Sequence, residues 1–186
     1  MSTVLETTRL TLRRFAPDDV ELLVELDSDP LVMLYITGGR VTPRGEIEEH
    51  ELPAFLAHYA RWPRWGFFAA EEKATRTFLG WFHLRPSDGD PDDVVELGYR
   101  LRREAWGQGY ASEGARALVA YAFASGARRV YAMTMVVNVA SRRVLEKAGL
   151  RYVRTFHAEW PYKIEGDEQG DVEYALTHAE WRSREC

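Results

Sequence analysis

Apolar and polar residues alternate over TRLTLRRF (8–15), which puts Leu10 and Leu12 on one side of an extended chain and predicts a half-buried strand. The period lengthens after Pro17, Asp18 and Asp19. Leu22, Leu23 and Leu26 then fall on one side of a helix that the proline opens. Residues 28–45 are punctuated by Pro and Gly and predict a loop-rich stretch, whereas EIEEHELPAFLAHYARW (46–62) is mostly helical, with Pro53 expected to break or kink it. WGFFAAEE (65–72) and TFLGWFHLRP (77–86) predict consecutive strands joined by a KATR turn. The polar SDGDPDD (87–93) reads as a loop and VVELGYRL (94–101) as a strand. A helix follows from about Tyr110 to Ser125, with Ala111, Ala115, Leu118 and Ala122 spaced as a core-facing stripe. RVYAMTMVV (129–137) predicts a buried strand. ASRRVLEKAG (140–149) predicts a short helix, with Val144, Leu145 and Ala148 inward and Gly149 at its C-terminal cap. RYVRTFHAEW (151–160) and GDVEYALTH (170–178) close the chain as strands.

This order implies an α/β (α+β) fold, a mixed sheet with helices on its faces. Without repeats, low-complexity tracts or a long linker, the expectation is a single domain over residues 1–186. Hydrophobic residues at 46% and charged residues at 28% suit a globular chain able to bury a core. No apolar run approaches the ~20 residues that cross a bilayer, and the N-terminus lacks a signal-peptide layout. The only cysteine is Cys186, which rules out an intrachain disulfide and suits a reducing cytoplasm. A net charge of -5 argues against nucleic acid and is compatible with a cationic partner. The histidines lack HxH or HxxxH spacing, so no metal site is expected. The acidic runs EIEEHE (46–51) and DGDPDD (88–93) read as solvated faces. Trp62, Trp65 and Trp81 are expected to cluster. Nothing in the pattern sets an oligomeric state.

The stretch EAWGQGYASEG (104–114) carries more chemistry. Gly107 and Gly109 stand between a strand and a helix, where backbone approaches closely and free helix N–H groups make a seat for an anion. A Walker loop is excluded because no GxxxxGK[ST] occurs. A dinucleotide fingerprint is also excluded, since Ser112 fills its third glycine position and ARRVY stands where its acidic residue belongs. A tight turn with no ligand is the plain alternative.

Together with Trp106, this stretch resembles the acyl-CoA pyrophosphate loop of the GNAT superfamily of N-acetyltransferases, [QR]-x-x-G-x-[GA], with Gly109 and Ala111 in the small positions. Trp106 replaces the usual Gln or Arg, as in the branch similar to RimJ and RimL. NVASRRVLEKAGLRY (138–152), the opening TTRLTLRRFAPDDVELL and the closing GDVEYALTHAEW also resemble that branch, so nearly the whole chain is covered. The resemblance implies a mostly antiparallel central sheet splayed in the middle, with acetyl-CoA as donor and an amine-bearing acceptor: a protein N-terminus, a lysine or a small molecule. It implies that the loop from Gly107 binds the cofactor, with backbone N–H groups of Gln108, Gly109, Tyr110, Ala111 and Ser112 holding the pyrophosphate. The backbone of VVELGYRL, at Leu97, Tyr99 and Leu101, would pair with pantetheine, and Asn138 and Ser141 would contact the same arm.

Acetyl transfer to an amine requires a group that accepts a proton. Glu96 is the candidate base, on the side of its strand opposite Val95, Leu97 and Tyr99. The plainer role is a pair with an arginine. His83 is the second choice, sharing a face with Trp81. Leu145 occupies the place where superfamily members carry a tyrosine that protonates the leaving thiolate, which brings Ser141 forward as a donor. Ser141 also suits pantetheine bonding or a helix cap. Arg142, Arg143 and Lys147 either hold phosphates or are solvated. Glu96 favours an enzyme, and the missing tyrosine keeps open a non-catalytic acyl-CoA-binding module on the same fold.

Overall fold

The computed structural model describes residues 3–183, so Cys186 lies outside the described residues. One sheet runs through the molecule in the order β1-β2-β3-β4-β5-β6-β8-β7. Its strands are β1 (Thr3–Glu6), β2 (Leu10–Arg14), β3 (Gly66–Glu72), β4 (Phe78–Arg85), β5 (Val94–Leu101), β6 (Arg129–Met135), β7 (Arg151–Phe156) and β8 (Asp171–Thr177). Every neighbouring pair is antiparallel except β5 and β6, which are parallel.

Helices cover both faces. On one lie α5 (Tyr110–Ala124) and α6 (Val139–Lys147), whose Ala115, Leu118, Ala122 and Leu145 pack on Phe82, Leu84, Val95 and Leu97. On the other lie α1 (Val20–Asp27) and a helical segment running through α3 (Arg44–Glu46) into α4 (Leu52–Arg61). Leu23, Leu26, Ile47 and Phe55 from these helices pack on Phe67 and Trp81. The short α2 (Leu34–Thr37) lies in the connection between them, and α7 (His178–Arg182) follows β8.

Pro53 does not break its helix. The residues before it, Ile47–Glu51, widen into a π turn, which makes room for the ring against the preceding turn. The tryptophans do not cluster. Trp81 is buried under α4 against Phe55, while Trp62 and Trp65 bond to Asp92 with their indole N–H groups and Trp65 belongs to the opposite core. Neither β1 nor α7 is predicted from the pattern. The first is short and only partly buried, and the second has five residues.

The feature that organises the site is a fork. Strands β5 and β6 pair only at Val94↔Arg129, Val95↔Val130 and Glu96↔Tyr131. Beyond these positions the two strands part, although β5 continues to Leu101 and β6 to Met135.

Candidate active site

The backbone at the fork follows from the ladder on the other side of β5. The Arg102 N–H donates to the Leu79 carbonyl, continuing the antiparallel β4–β5 register in which Leu101 faces Gly80. Alternate residues of such a strand bond to the same neighbour. Even-numbered residues of β5 therefore bond to β4 and odd-numbered ones face β6. The last parallel pair, Glu96↔Tyr131, takes the Leu97 N–H, so the Leu97 C=O and the N–H and C=O groups of Tyr99 and Leu101 turn toward the opening. The Leu101 carbonyl accepts from the Trp106 indole N–H at 2.9 Å. Trp106 thus ties off the end of the fork, and Leu101 is left with its N–H alone for a ligand.

Past the fork the chain turns into α5 through Gly107 and Gly109, whose φ angles are 72° and 84°. Gly109 is the residue before the first helical turn and stands in the left-handed region, where a side chain is strained. Crowding is not the reason for glycine there, because a Cβ would meet only the Arg9 guanidinium, at 3.5 Å. Tyr110, Ala111 and Ser112 form the first turn, so their N–H groups are the ones a helix leaves unbonded. Open strand edge and free helix N-terminus adjoin, which fits a ligand with amides along one part and phosphates at the other.

On the α6 side, Asn138 caps the helix by accepting from the Ser141 N–H at 3.1 Å. Ser141 is therefore not the cap. Its hydroxyl accepts from the Tyr99 hydroxyl at 3.1 Å, and this bond joins β5 to α6 across the fork. Burial pushes the Tyr99 phenol up to about 12, with the Ser141 bond opposing. Leu145 is buried in the core, and Arg142 is engaged within the chain, bonding to Tyr174 and the Val136 carbonyl.

The opposite face carries charge. Glu96, paired across the strands with Arg85, lies 2.9 Å from its guanidinium and accepts from Ser87 at 3.1 Å. His83 Nε2 lies 3.8 Å from Glu96 Oε2. The imidazole rests directly on Gly98, where a Cβ would come within 2.4 Å of the ring. Burial, with Arg85, His58 and Arg100 adding positive charge, holds His83 well below the usual histidine range. Neither ring nitrogen has a hydrogen-bond partner among the described residues.

Further along β5, Arg100 bonds to the fully buried Asp27, lies 3.5 Å from Glu51 and stacks over Trp81. Glu51 is thus no part of a solvated acidic face. Burial, with Asp27 and Glu46 adding to it against Arg100, raises its carboxyl to about 7. The Trp81 indole N–H, Asp27 Oδ1 and Arg100 Nε are buried without partners among the described residues. Sequence reading misses Arg85, Glu51, Arg100 and the Tyr99 hydroxyl. The cross-strand offset of Arg85 and Glu96 is the one signal that pairing of adjacent strands would have offered.

Arg40, after α2, stacks on Tyr162 in the β7–β8 loop at 4.1 Å.

Comparison with known proteins agrees with this geometry. Residues 9–151 match the acetyltransferase (GNAT) domain family. The chain is 37% identical to FsC-acetyl coenzyme A-N(2)-transacetylase of Aspergillus fumigatus, over 95% of this chain and 77% of that protein. Among solved structures, a GNAT-family acetyltransferase from Bacillus anthracis superposes with a TM-score of 0.78 at 24% identity, covering 94% of this chain and 98% of that one. The RimL ribosomal L7/L12 alpha-N-protein acetyltransferase in complex with coenzyme A superposes with a TM-score of 0.77 at 22% identity, covering 95% and 98%. The chain belongs to the GNAT family and is an acetyl-CoA-dependent N-acetyltransferase.

Proposed function

We propose that this enzyme acetylates a primary amine by direct attack in a ternary complex, within one catalytic unit spanning the chain. The observation that carries the reading is the fork, with the Leu97 carbonyl and the backbone of Tyr99 and Leu101 leading to the glycine loop at the start of α5. In this reading those groups hold the pantetheine arm, with Asn138 and Ser141 opposite. Gly107, Gln108, Gly109, Tyr110, Ala111 and Ser112 hold the pyrophosphate. Bound acetyl-CoA supplies an activated acetyl thioester.

The amine enters from the α1–α4 face and must lose a proton as it attacks. Glu96 receives it. Arg85 and Ser87 fix the carboxylate, and neutral His83, resting on the splayed strand with free ring nitrogens, provides the path from the amine. His83 as the final acceptor is the second reading, favoured by its position over Gly98. On the other side of the strand, the bonded hydroxyls of Tyr99 and Ser141 stand in for the tyrosine that Leu145 replaces, and supply a proton to the departing thiolate.

The relative at 37% identity is named for acetyl transfer to an N(2) nitrogen, which supports a nitrogen acceptor here, on a small molecule, a lysine or a protein N-terminus. No helix among the described residues is long and apolar enough to cross a membrane, and a single cysteine, Cys186, supports work in a reducing cytoplasm. Thiol release from acetyl-CoA against a panel of small amines, amino acids, lysine peptides and free N-terminal peptides tests the proposal. Release that depends on an amine is expected. Binding of acetyl-CoA with no release for any amine would leave a binding module instead.

A further inference from the structure

The anion loop contains no cation of its own. No Lys or Arg occurs from Glu104 to Ala115, and the two arginines before it are engaged elsewhere, Arg102 with Glu25 and Arg103 with Asp29. Two carboxylates, Glu104 and Glu113, flank it instead. Glu113 lies in the first turns of α5. A carboxylate there suits the positive end of the helix but repels any phosphate seated on the same N–H groups.

Arg9, in the turn between β1 and β2, reaches this place from the other end of the sequence. Its Nε donates to Glu113 Oε2 at 2.7 Å and its backbone N–H donates to Oε1 at 2.8 Å. The Thr7 hydroxyl also donates to Oε1, at 2.6 Å. Hydrogen bonds from Thr7 and Arg9 outweigh the effect of burial and keep Glu113 below the usual carboxylate range. Arg9 Nη1 donates to the Gln108 carbonyl at 3.0 Å, and the guanidinium covers the Tyr110 ring at 4.2 Å. That carbonyl bond matters for the loop. The peptide between Gln108 and Gly109 is trans and planar, so its C=O and N–H point in opposite directions. Fixing the Gln108 oxygen on Arg9 therefore aims the Gly109 N–H away from Arg9.

We infer that Arg9 is a positioning residue for the phosphate loop. It holds the Gln108 carbonyl and the Glu113 carboxylate on one side, so that the Gly109 N–H and the helix N-terminus face the phosphates of the donor on the other. The role rests on the reading of residues 107–112 as the pyrophosphate loop. It also gives the opening TTRL segment a part in donor binding, although that segment lies about a hundred residues from the loop.

The test measures coenzyme A affinity by calorimetry and acetyl-CoA steady-state kinetics for Arg9→Met, Arg9→Lys and the double variant Arg9→Met/Glu113→Gln. Arg9→Met takes the guanidinium from Glu113, leaving it the Thr7 hydroxyl and the residue 9 N–H, and releases the Gln108 carbonyl. It should weaken coenzyme A about tenfold, with the loss concentrated in KM for acetyl-CoA and kcat at saturation falling less than threefold. The double variant should recover only part of that loss, because the carboxylate charge is gone while the Gln108 carbonyl is still released. Arg9→Lys should fall between, keeping the charge but not the two-armed grip. The Arg9→Met defect should shrink as salt rises from about 0.02 to 0.5 M, a dependence that loss of packing alone would not give. Wild-type affinity in Arg9→Met, or a loss shared equally by kcat, KM and melting temperature at every salt concentration, overturns the inference. Failure of the wild-type protein to bind coenzyme A would instead sink the pyrophosphate-loop reading beneath it.

Discussion

The two faces of β5 are built on opposite principles. On the α5–α6 face the strand presents Val95, Leu97 and Tyr99 to an apolar core, and the polar work falls to backbone groups and capped helix ends. On the α1–α4 face the same strand presents Glu96, Gly98 and Arg100 to His83, Arg85, Asp27 and Glu51, with several buried polar atoms lacking partners among the described residues. Backbone donors cannot titrate, and they hold an anion whatever the pH. Buried charged side chains respond to pH and to one another, which suits the side where a proton must move. In the proposed function, donor binding falls to the first face and proton removal to the second.

A large effect on stability is expected on the charged face. In the folded protein Glu51 keeps its proton to about pH 7, against an ordinary value of 4.5. Between those values the unfolded chain binds fewer protons than the folded one, so stability falls as pH rises through this window. The full difference corresponds to about 3 kcal/mol, at about 1.4 kcal/mol per pH unit. Denaturant unfolding from pH 4.5 to 8 should show that decline in wild type and a flatter curve in Glu51→Gln. Equal slopes in the two proteins would mean that Glu51 titrates as a surface carboxylate does.

A smaller effect sharpens the backbone face. Asn138→Ala removes the α6 cap and should cost about 1 kcal/mol of stability. It should raise KM for acetyl-CoA more than KM for the amine, and Asn138→Ser should keep most of the stability. The opposite ranking of the two KM values would move Asn138 to the acceptor side.

The two faces were also unequally legible in the sequence. Donor-side features are local: a strand of eight residues, two glycines, a helix start and an Asn three residues before a Ser. Their spacing along the chain is their spacing in the fold, so VVELGYRL reads as a strand over the same residues, Val94 to Leu101, that β5 occupies. The acceptor-side cluster joins Asp27, Glu51, His83, Arg85 and Arg100, which come from four elements separated by long connections. Nothing local marks Glu51 as buried, because the acidic run EIEEHE looks solvated until the π turn rotates it toward Arg100. Trp106 and the Arg9–Glu113 bonds show the same limit, since each depends on which chain segments the sheet brings together.

The division between the faces is tested most directly by Glu96→Gln, measured as kcat from pH 6 to 9 with acetyl-CoA affinity determined in parallel. An alkyl amine with a pKa near ~10 is unprotonated in only about one molecule in a thousand at pH 7, so removing the proton acceptor is costly there. The variant should lose about 10²–10⁴-fold in kcat at neutral pH and recover part of it as pH rises, with acetyl-CoA affinity close to wild type. Wild-type kcat across the whole range would make Glu96 a structural partner of Arg85, and a parallel loss of acetyl-CoA affinity would mean that the two faces do not divide the work.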